Sequence, residues 1–219
     1  MKLAIDRQST LHQNWGILLL AIFHVIGMLG IMIGPIPWIV NLTPINLLVA
    51  TIIILFFHQQ WNASTILFIT ICYMTGFFFE VAGVNTGSIF GEYSYGPVLG
   101  WQIWNTPLII GANWLLLIYS SSALVNLTFP RFNPYLRALI AAVLMVSLDI
   151  IIEPVAISLN FWNWSDPIVP LQNYVAWFLI SWGLTTLFQF CFKNAKNKVG
   201  ASLFIIQIIF FSCLWVVLA

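Results

Sequence analysis

Long apolar runs, separated by short polar or aromatic-rich segments, dominate the pattern along this chain. A membrane-spanning helix needs about 20 mostly apolar residues to cross the hydrocarbon core of a bilayer. Runs of this kind occupy residues 15–34, 40–57, 63–82, 107–125, 136–157, 173–192 and 200–219. Pro44 interrupts the start of the second run, where a re-entrant or tilted segment is the alternative. The pattern therefore predicts an all-α, polytopic membrane bundle of about seven transmembrane helices.

The composition agrees with a membrane protein. Hydrophobic residues make up 61% of the 219 residues and charged residues only 6%, whereas a soluble domain carries about 25% charged residues. The formal net charge of +1 gives no indication of a nucleic-acid partner, and membrane lipid is the expected surroundings. We find no repeat or linker, so residues 1–219 are predicted to form a single transmembrane domain. We expect the first run to be retained, because it is too long for a cleaved signal peptide.

The positions of the basic residues predict the orientation of the bundle. They are Lys2, Arg7, Arg131, Arg137, Lys193, Lys196 and Lys198. With seven helices and a cytoplasmic N-terminus, all of them lie on the cytoplasmic side, as the positive-inside rule requires. The C-terminus is then outside, and the protein is predicted to be a multi-pass protein of the cytoplasmic (inner) membrane. Five of the six carboxylates fall at the opposite, outer end, together with the long connections 83–106 and 158–172.

Two of those carboxylates lie one helical turn apart in the segment MVSLDIIIEP at residues 145–154. Asp149 and Glu153 therefore share a helix face, which we expect to point into the bundle because ionisable groups in a membrane are costly and usually functional. Two neighbouring carboxyl groups at low dielectric do not both ionise easily, so one retains a proton and is suited to general acid catalysis. The alternative is that Glu153 reaches the membrane interface and Asp149 is structural. Glu80 is either a third member of the cluster or an interfacial residue at a helix end.

Aromatic residues crowd the same outer end. They are Tyr93, Tyr95, Trp101, Trp104, Trp114, Trp162, Trp164 and Trp177. One interpretation is the ordinary aromatic belt of membrane proteins. The other is a pocket whose π faces stabilise a carbocation and pack on a polyene. Asn113 could orient water or join helices, and His24 could relay protons or be structural.

The sequence lacks the motifs that are typical of several kinds of catalytic site. The chain has no His/Cys/Asp spacing typical of a metal site, no nucleophile elbow and no glycine-rich nucleotide motif. It has no Asp-rich pair for magnesium and diphosphate. The seventh predicted helix has no lysine within the membrane for a retinal Schiff base. We therefore expect an activity that uses neither a metal nor a cofactor.

Five segments carry a resemblance to a known family. They are FEVAGVNTGSIFGEYSYG at 79–96, NTPLIIGANW at 105–114, DIIIEP at 149–154, FWNW at 161–164 and VPLQNYVAW at 169–177. In this order they resemble the membrane carotenoid-biosynthesis hydratases, which include γ-carotene 1′-hydratases and bisanhydrobacterioruberin hydratases. The resemblance covers about half of the chain. One departure is Asn160, which stands at the first position of the Gly-x-Trp-x-Trp pattern of the family.

The resemblance implies the addition of water across the terminal C1′=C2′ bond of a carotenoid ψ end group. We expect an acid among Glu80, Asp149 and Glu153 to protonate C2′, and aromatic faces to stabilise the tertiary cation at C1′. A second carboxylate or Asn113 would hold the attacking water. The substrate-binding candidates are Tyr93, Tyr95, Asn113, Trp114, Trp162, Trp164, Asn173 and Trp177.

Three other functions fit parts of the pattern. A lycopene cyclase-like enzyme would form the same cation but capture it with an internal alkene. A proton-coupled transporter would use the carboxylates as a relay, although such proteins usually contain inverted repeats and broken helices. A structural subunit would leave the clustering of carboxylates unexplained.

Overall fold

The computed structural model describes residues 2–34, 37–192 and 195–218. Lys193, which contributes to the predicted orientation, lies outside the described residues, as does residue 219 at the end of the last predicted helix. The helices are α1 (Lys2–Met32), α2 (Pro37–Val40), α3 (Thr43–Phe56), α4 (Ala63–Thr86), α5 (Ile109–Thr128), α6 (Pro134–Ser158), α7 (Leu171–Cys191) and α8 (Lys198–Leu218). Four short strands lie in the connections: β1 (Tyr93–Tyr95), β2 (Gln102–Ile103), β3 (Thr106–Pro107) and β4 (Trp162–Trp164).

Among the described residues, seven segments are long and apolar enough to cross a membrane, which confirms the predicted polytopic helical bundle. Six of them are single helices. The second is composite, because Trp38–Phe56 contains both α2 and α3. Pro44 lies in the first turn of α3, where the missing backbone N–H removes no helical hydrogen bond. Pro44 therefore starts α3 and does not interrupt it.

Helix α5 occupies the centre of the bundle. Fifteen of its 20 residues are buried, and it packs against α3, α4, α6, α7 and α8. The surrounding helices expose many large apolar side chains, such as Ile66, Leu179 and Ile209, which is the pattern expected where lipid is the solvent. The core is thus built around a helix that has little contact with lipid.

The connections collect at the two ends of the bundle. At one end, the Asn197 amide donates to the Ile54 carbonyl oxygen at 2.8 Å and joins the start of α8 to α3. At the other end, the backbone N–H of Gly96 donates to the Phe161 carbonyl oxygen at 2.9 Å. We call this second end the cavity end, because it contains the long α4–α5 and α6–α7 connections. Which side of the membrane it faces stays a prediction.

Strands β1 and β4 form an antiparallel pair across the cavity end, with Tyr93 opposite Trp164 and Tyr95 opposite Trp162. The turn before β4 places Asn160 at a φ of +57°, a left-handed conformation that favours glycine and that asparagine also tolerates. Asparagine is therefore compatible with the position at which the family pattern has glycine. On the facing strand, a Cβ at Gly96 would collide with the Asn160 carbonyl oxygen, so the close approach of the two segments requires glycine there.

Candidate active site

A small cavity of about 20 Å³ lies between α4, α5, α6, α7 and the β1–β4 pair. The residues that line it are Glu80, Tyr93, Tyr95, Ile110, Asn113, Trp114, Glu153, Trp162, Trp164, Asn173 and Trp177. Every site candidate taken from the sequence except Asp149 is in this set. Ile110 is the addition, and an apolar residue in a long apolar run carries no sequence signal of such a position. The structure thus brings ten separately proposed side chains around one space.

Glu80 of α4 is buried, with 2% of its surface exposed. The hydroxyls of Tyr93 and Tyr95 both donate to its Oε2, at 2.5 and 2.7 Å. The indole Nε1 of Trp114 donates to its Oε1 at 3.0 Å. Three donors on one carboxylate stabilise its ionised form and fix its orientation. The interfacial alternative for Glu80 is therefore wrong, because this side chain points into the bundle.

Glu153 of α6 has a second set of donors. The indole Nε1 atoms of Trp162 and Trp164 both donate to its Oε2, at 3.0 and 2.9 Å. Only 3% of the Glu153 surface is exposed, so this carboxyl group does not extend to the membrane interface. Both Glu80 and Glu153 thus present a hydrogen-bonded carboxyl group to the same cavity.

Asn173 of α7 connects the two carboxyl groups of α6. Its amide nitrogen lies 3.2 Å from Oδ2 of Asp149 and 3.4 Å from Oε1 of Glu153. Asp149 is buried one turn deeper than Glu153 and does not line the cavity. The i, i+4 spacing therefore produces a carboxyl pair, in which Glu153 faces the cavity and Asp149 lies behind it.

The four aromatic side chains of β1 and β4 form a cover over the cavity, which we call the aromatic lid (Tyr93, Tyr95, Trp162 and Trp164). Alternate residues of a strand point to the same face. The aromatic residues of both strands therefore face inward, while Ser94 and Asn163 between them are exposed. Because β1 donates to Glu80 and β4 donates to Glu153, the strand pairing sets the position of both carboxyl groups.

The hydroxyls of the lid stay protonated as donors. Burial raises the pKa of Tyr93 well above its ordinary value, and the neighbouring Glu80 charge raises it further. Burial and the Glu80 charge also raise the pKa of Tyr95 well above the ordinary tyrosine value. Both hydroxyls consequently donate to Glu80 throughout the neutral pH range.

The inner wall of the cavity is aromatic and amide-bearing. Trp114 of α5 and Trp177 of α7 are stacked, with ring centroids 4.4 Å apart and planes at 29°. Asn113, half-buried on α5, lines the cavity beside them. Aromatic faces attract a cation, and amide groups can hold water.

Three of the residues considered in the sequence lie elsewhere. Trp101 and Trp104 are 88% and 63% exposed and do not line the cavity, as expected for residues at the membrane interface. His24 of α1 is buried, and its Nδ1 donates to the Leu20 carbonyl oxygen at 2.8 Å. It lies in a separate groove between α1, α3 and α8.

This arrangement can hold a small group between two carboxyl centres with different partners. Glu80 accepts three hydrogen bonds, Glu153 accepts three, and Asp149 accepts one, from Asn173. No group of three or more His, Cys, Asp or Glu side chains among the described residues is arranged to hold a metal ion. A proton donor and a proton acceptor facing one aromatic-walled space are the requirements of acid–base chemistry on an apolar substrate.

Comparisons with known proteins identify the family of this chain. A family model described as "Carotenoid biosynthesis protein" matches residues 39–219. Among curated proteins, the bisanhydrobacterioruberin hydratase of Haloarcula japonica is 31% identical over 129 residues, which is 53% of this chain and 42% of the relative. The match thus spans less than half the length of that relative. No solved structure matches the chain. Since the family model covers most of the sequence, the chain belongs to the carotenoid biosynthesis protein family.

Proposed function

We propose that this protein is a carotenoid hydratase, a hydro-lyase that adds water across the terminal C1′=C2′ bond of a ψ end group. The observation that carries the proposal is the pair of hydrogen-bonded carboxyl groups, Glu80 and Glu153, on one aromatic-walled cavity. Membership of the carotenoid biosynthesis family and the hydratase relative support the substrate class and the reaction. We place the enzyme in the cytoplasmic membrane, where an apolar carotenoid substrate would dissolve.

The space between the two carboxyl centres is small. Its volume of about 20 Å³ is enough for roughly one water molecule. A branched end group would therefore bind only if side chains of the aromatic lid moved aside, and the rest of the substrate must lie outside.

Protonation is assigned to the carboxyl pair of α6. Asp149 and Glu153 share the Asn173 amide and are held close together in a buried site, so one proton on the pair is favoured over two charges. Glu153 faces the cavity and delivers this proton to C2′. The π electrons of the C1′=C2′ bond form the new C–H bond, and a tertiary cation remains at C1′. The pair is then fully ionised, and its negative charge stabilises the cation.

Water capture is assigned to the opposite carboxylate. Trp114 and Trp177 present stacked rings to the cavity, where their faces stabilise the cation. We assign Glu80, whose ionised form is stabilised by three donors, as the base that accepts a hydrogen bond from a water molecule in the cavity. This water attacks C1′ and releases a proton to Glu80. Return of that proton through water to the carboxyl pair closes the cycle, and the net change is the addition of one water molecule to the alkene.

The polar wall favours hydration over cyclisation. Cyclisation needs the cation to meet only an internal alkene, whereas hydration needs a bound water molecule. Asn113 and Asn173 add amide groups to the two carboxyl centres of the cavity, so water has hydrogen-bond partners on several sides. This density of polar groups is the reason that we rank a hydratase above a cyclase.

The direct test is expression of the chain in cells that accumulate lycopene or γ-carotene, followed by mass spectrometry of the extracted pigment. We expect a product heavier by one water molecule, with a tertiary hydroxyl group. A product of unchanged mass with an altered absorption spectrum would identify a cyclase and overturn the proposal. Unchanged pigment from both hosts, despite intact protein in the membrane, would also count against a ψ-end hydratase.

A further inference from the structure

A second, larger space lies outside the active-site cavity. It is a groove of about 200 Å³ between α1, α2, α3, α8 and the residues that precede β4. Its walls are mainly apolar, with Ile26, Leu47 and Phe210 among them. It lies within segments that are long and apolar enough to span the membrane, so its ligand must be apolar over most of its length.

Gln207 is a polar side chain in the mainly apolar wall of this groove. The residue lines the groove and is 97% buried, with 3% of its surface exposed. Its Oε1 has no hydrogen-bond partner among the described residues. A buried amide oxygen without a partner is uncommon, because leaving it unpaired is unfavourable. Oε1 is itself shielded in this conformation, so a rotation of the Gln207 side chain would bring this unused acceptor to a ligand in the groove.

His24 lies in the same groove and adds a second polar atom. Its Nδ1 is engaged with the Leu20 carbonyl oxygen at 2.8 Å, so this nitrogen is the donor and Nε2 is left as an acceptor. The ring packs edge-on against Phe210, with centroids 5.4 Å apart. Thr43 and Asn46 also line the groove but are less buried than Gln207. The groove thus combines a long apolar wall with a few polar groups, a pattern suited to an apolar chain that carries a hydroxyl group.

We propose that this groove binds a terpenoid alcohol, with its hydrocarbon chain along α1, α3 and α8 and its hydroxyl hydrogen-bonded to the Gln207 amide. A hydroxyl both donates and accepts, so it satisfies the amide in either orientation. A lipid acyl chain has the apolar length but no hydrogen-bond donor. The identification of the alcohol with the product class rests on the proposed function, since hydration of a carotenoid end yields a tertiary alcohol.

The groove and the active-site cavity meet at the start of β4. Phe161 lines the groove and Trp162 lines the cavity, with ring centroids 6.4 Å apart. The cavity, at about 20 Å³, is far smaller than the groove, at about 200 Å³, so a hydrocarbon chain has more room in the groove. A hydroxylated end released from the cavity therefore has a neighbouring binding site within the same protein.

The test measures binding directly and uses retinol, a polyene with a terminal hydroxyl, and its methyl ether as probes. Trp38 lines the groove, so bound polyene should quench tryptophan fluorescence of the protein in detergent. We expect retinol to bind roughly fivefold to tenfold more tightly than the ether, as expected for one hydrogen bond to a neutral amide. Gln207→Leu should abolish this preference by weakening retinol alone.

The control is Gln189→Leu. Gln189 is also buried, and neither polar atom of its side chain has a partner within the described part of the chain, but it does not line the groove. This variant should retain the preference for the alcohol. A preference that survives in Gln207→Leu, or equal binding of alcohol and ether by the natural protein, would overturn the proposal.

A second variant is available if Gln207→Leu does not fold. At Gly27, which lines the groove, a Cβ would meet only Phe210, at 3.8 Å. Gly27→Leu therefore extends a side chain into the groove and should weaken retinol and ether alike, at least fivefold. Unchanged binding by this variant would place the ligand elsewhere.

The binding assay does not depend on turnover, so the two proposals can fail separately. If the protein selects the alcohol but does not hydrate carotenoids, only the proposed function is refuted. If it hydrates carotenoids but Gln207→Leu does not change retinol binding, only the proposed binding of an alcohol in the groove is refuted.

Discussion

Tyr93 of β1 and Trp164 of β4 face each other across the strand pair, with ring centroids 5.0 Å apart, and each donates a hydrogen bond to a different carboxyl group. Tyr93 donates to Glu80 and Trp164 donates to Glu153. The two carboxyl centres come from different helices, but one pair of short strands positions both. The aromatic lid is therefore the element that aligns the two carboxyl groups for which we propose the roles of proton donor and proton acceptor.

Removal of the acid should abolish hydration. Glu153→Gln keeps the size of the side chain but cannot supply a proton, and general acid catalysis contributes about 10²–10⁴-fold to rate. We expect at least a hundredfold lower turnover, measured as hydrated pigment formed per mole of protein. Asp149→Asn should have a similar effect, because the proton is shared by the pair.

The matched controls are Glu92→Gln and Asp166→Asn, which neutralise exposed carboxylates in the connections at the same end of the bundle. Both should keep normal turnover. Normal turnover in Glu153→Gln as well would show that this residue is not the acid.

Asn173 should act by positioning the carboxyl pair. Asn173→Leu removes the donor shared by Asp149 and Glu153, and a hydrogen bond to a charged group contributes about 1.5–3 kcal/mol. We expect kcat to fall roughly tenfold to hundredfold, while KM changes less than threefold, because in the proposed mechanism Glu153 meets the reacting carbon and the pair does not contact the length of the chain. Steady-state kinetics in detergent measure both constants. The control is Asn163→Leu, at an exposed position of β4, which should leave both constants unchanged. If Asn173→Leu raised KM and left kcat unchanged, Asn173 would not be a residue that positions the carboxyl pair.

The membrane spans could be predicted from the sequence, because helices that face lipid consist of long runs of apolar residues. Every predicted run corresponds to an observed span, with ends that differ by a few residues, except α1, which begins at Lys2. The apolar period in α1 is visible only after Trp15, because polar residues such as Gln8 and Gln13 occupy the preceding turns. Helix extension beyond the apolar core depends on local propensity and is not recorded by hydropathy.

The strand pair was not predicted, although its signal is present. Tyr93-Ser94-Tyr95 and Trp162-Asn163-Trp164 both alternate aromatic and polar residues, the period of a strand. Three residues are too few to distinguish a strand from a loop, and the pairing partner lies about 70 residues away along the chain.

The carboxyl candidates were identifiable from the sequence because charge in a membrane is rare. Which of them faces the cavity depends on the rotation of each helix about its axis, and that rotation is set by packing around α5.

The lid tyrosines should affect alkaline stability. Their pKa values in the folded protein lie well above the unfolded value of about 10, because of burial and the Glu80 charge. The stability that this shift provides is complete below the unfolded pKa and is lost as pH rises toward the folded pKa, since the unfolded chain loses its protons first. The thermal unfolding midpoint of the natural protein should therefore fall between about pH 9 and 11, and less steeply in Tyr93→Phe/Tyr95→Phe. Tyr135→Phe, at an exposed position, should retain the steep fall, and equal slopes for all three proteins would count against buried donors.

The contact between α4 and α5 should be intolerant of a single methyl group. A Cβ at Gly76 would overlap the Cβ and Cγ of Trp114, whose indole donates to Glu80. Gly76→Ala must therefore displace Trp114, with an overpacking cost of about 1–3 kcal/mol and loss of one donor to the carboxylate. We expect a lower unfolding midpoint together with at least tenfold lower turnover.

Gly183→Ala in α7 is the matched control. Outside the adjacent backbone of α7, no atom of the described residues lies within 4 Å of the added Cβ. The alanine should be neutral or stabilise that helix by about 0.5–1 kcal/mol. If both variants are equally stable and active, Trp114 does not depend on Gly76 for its place beside Glu80, and the close packing of α4 on α5 is not what holds this carboxylate in the cavity.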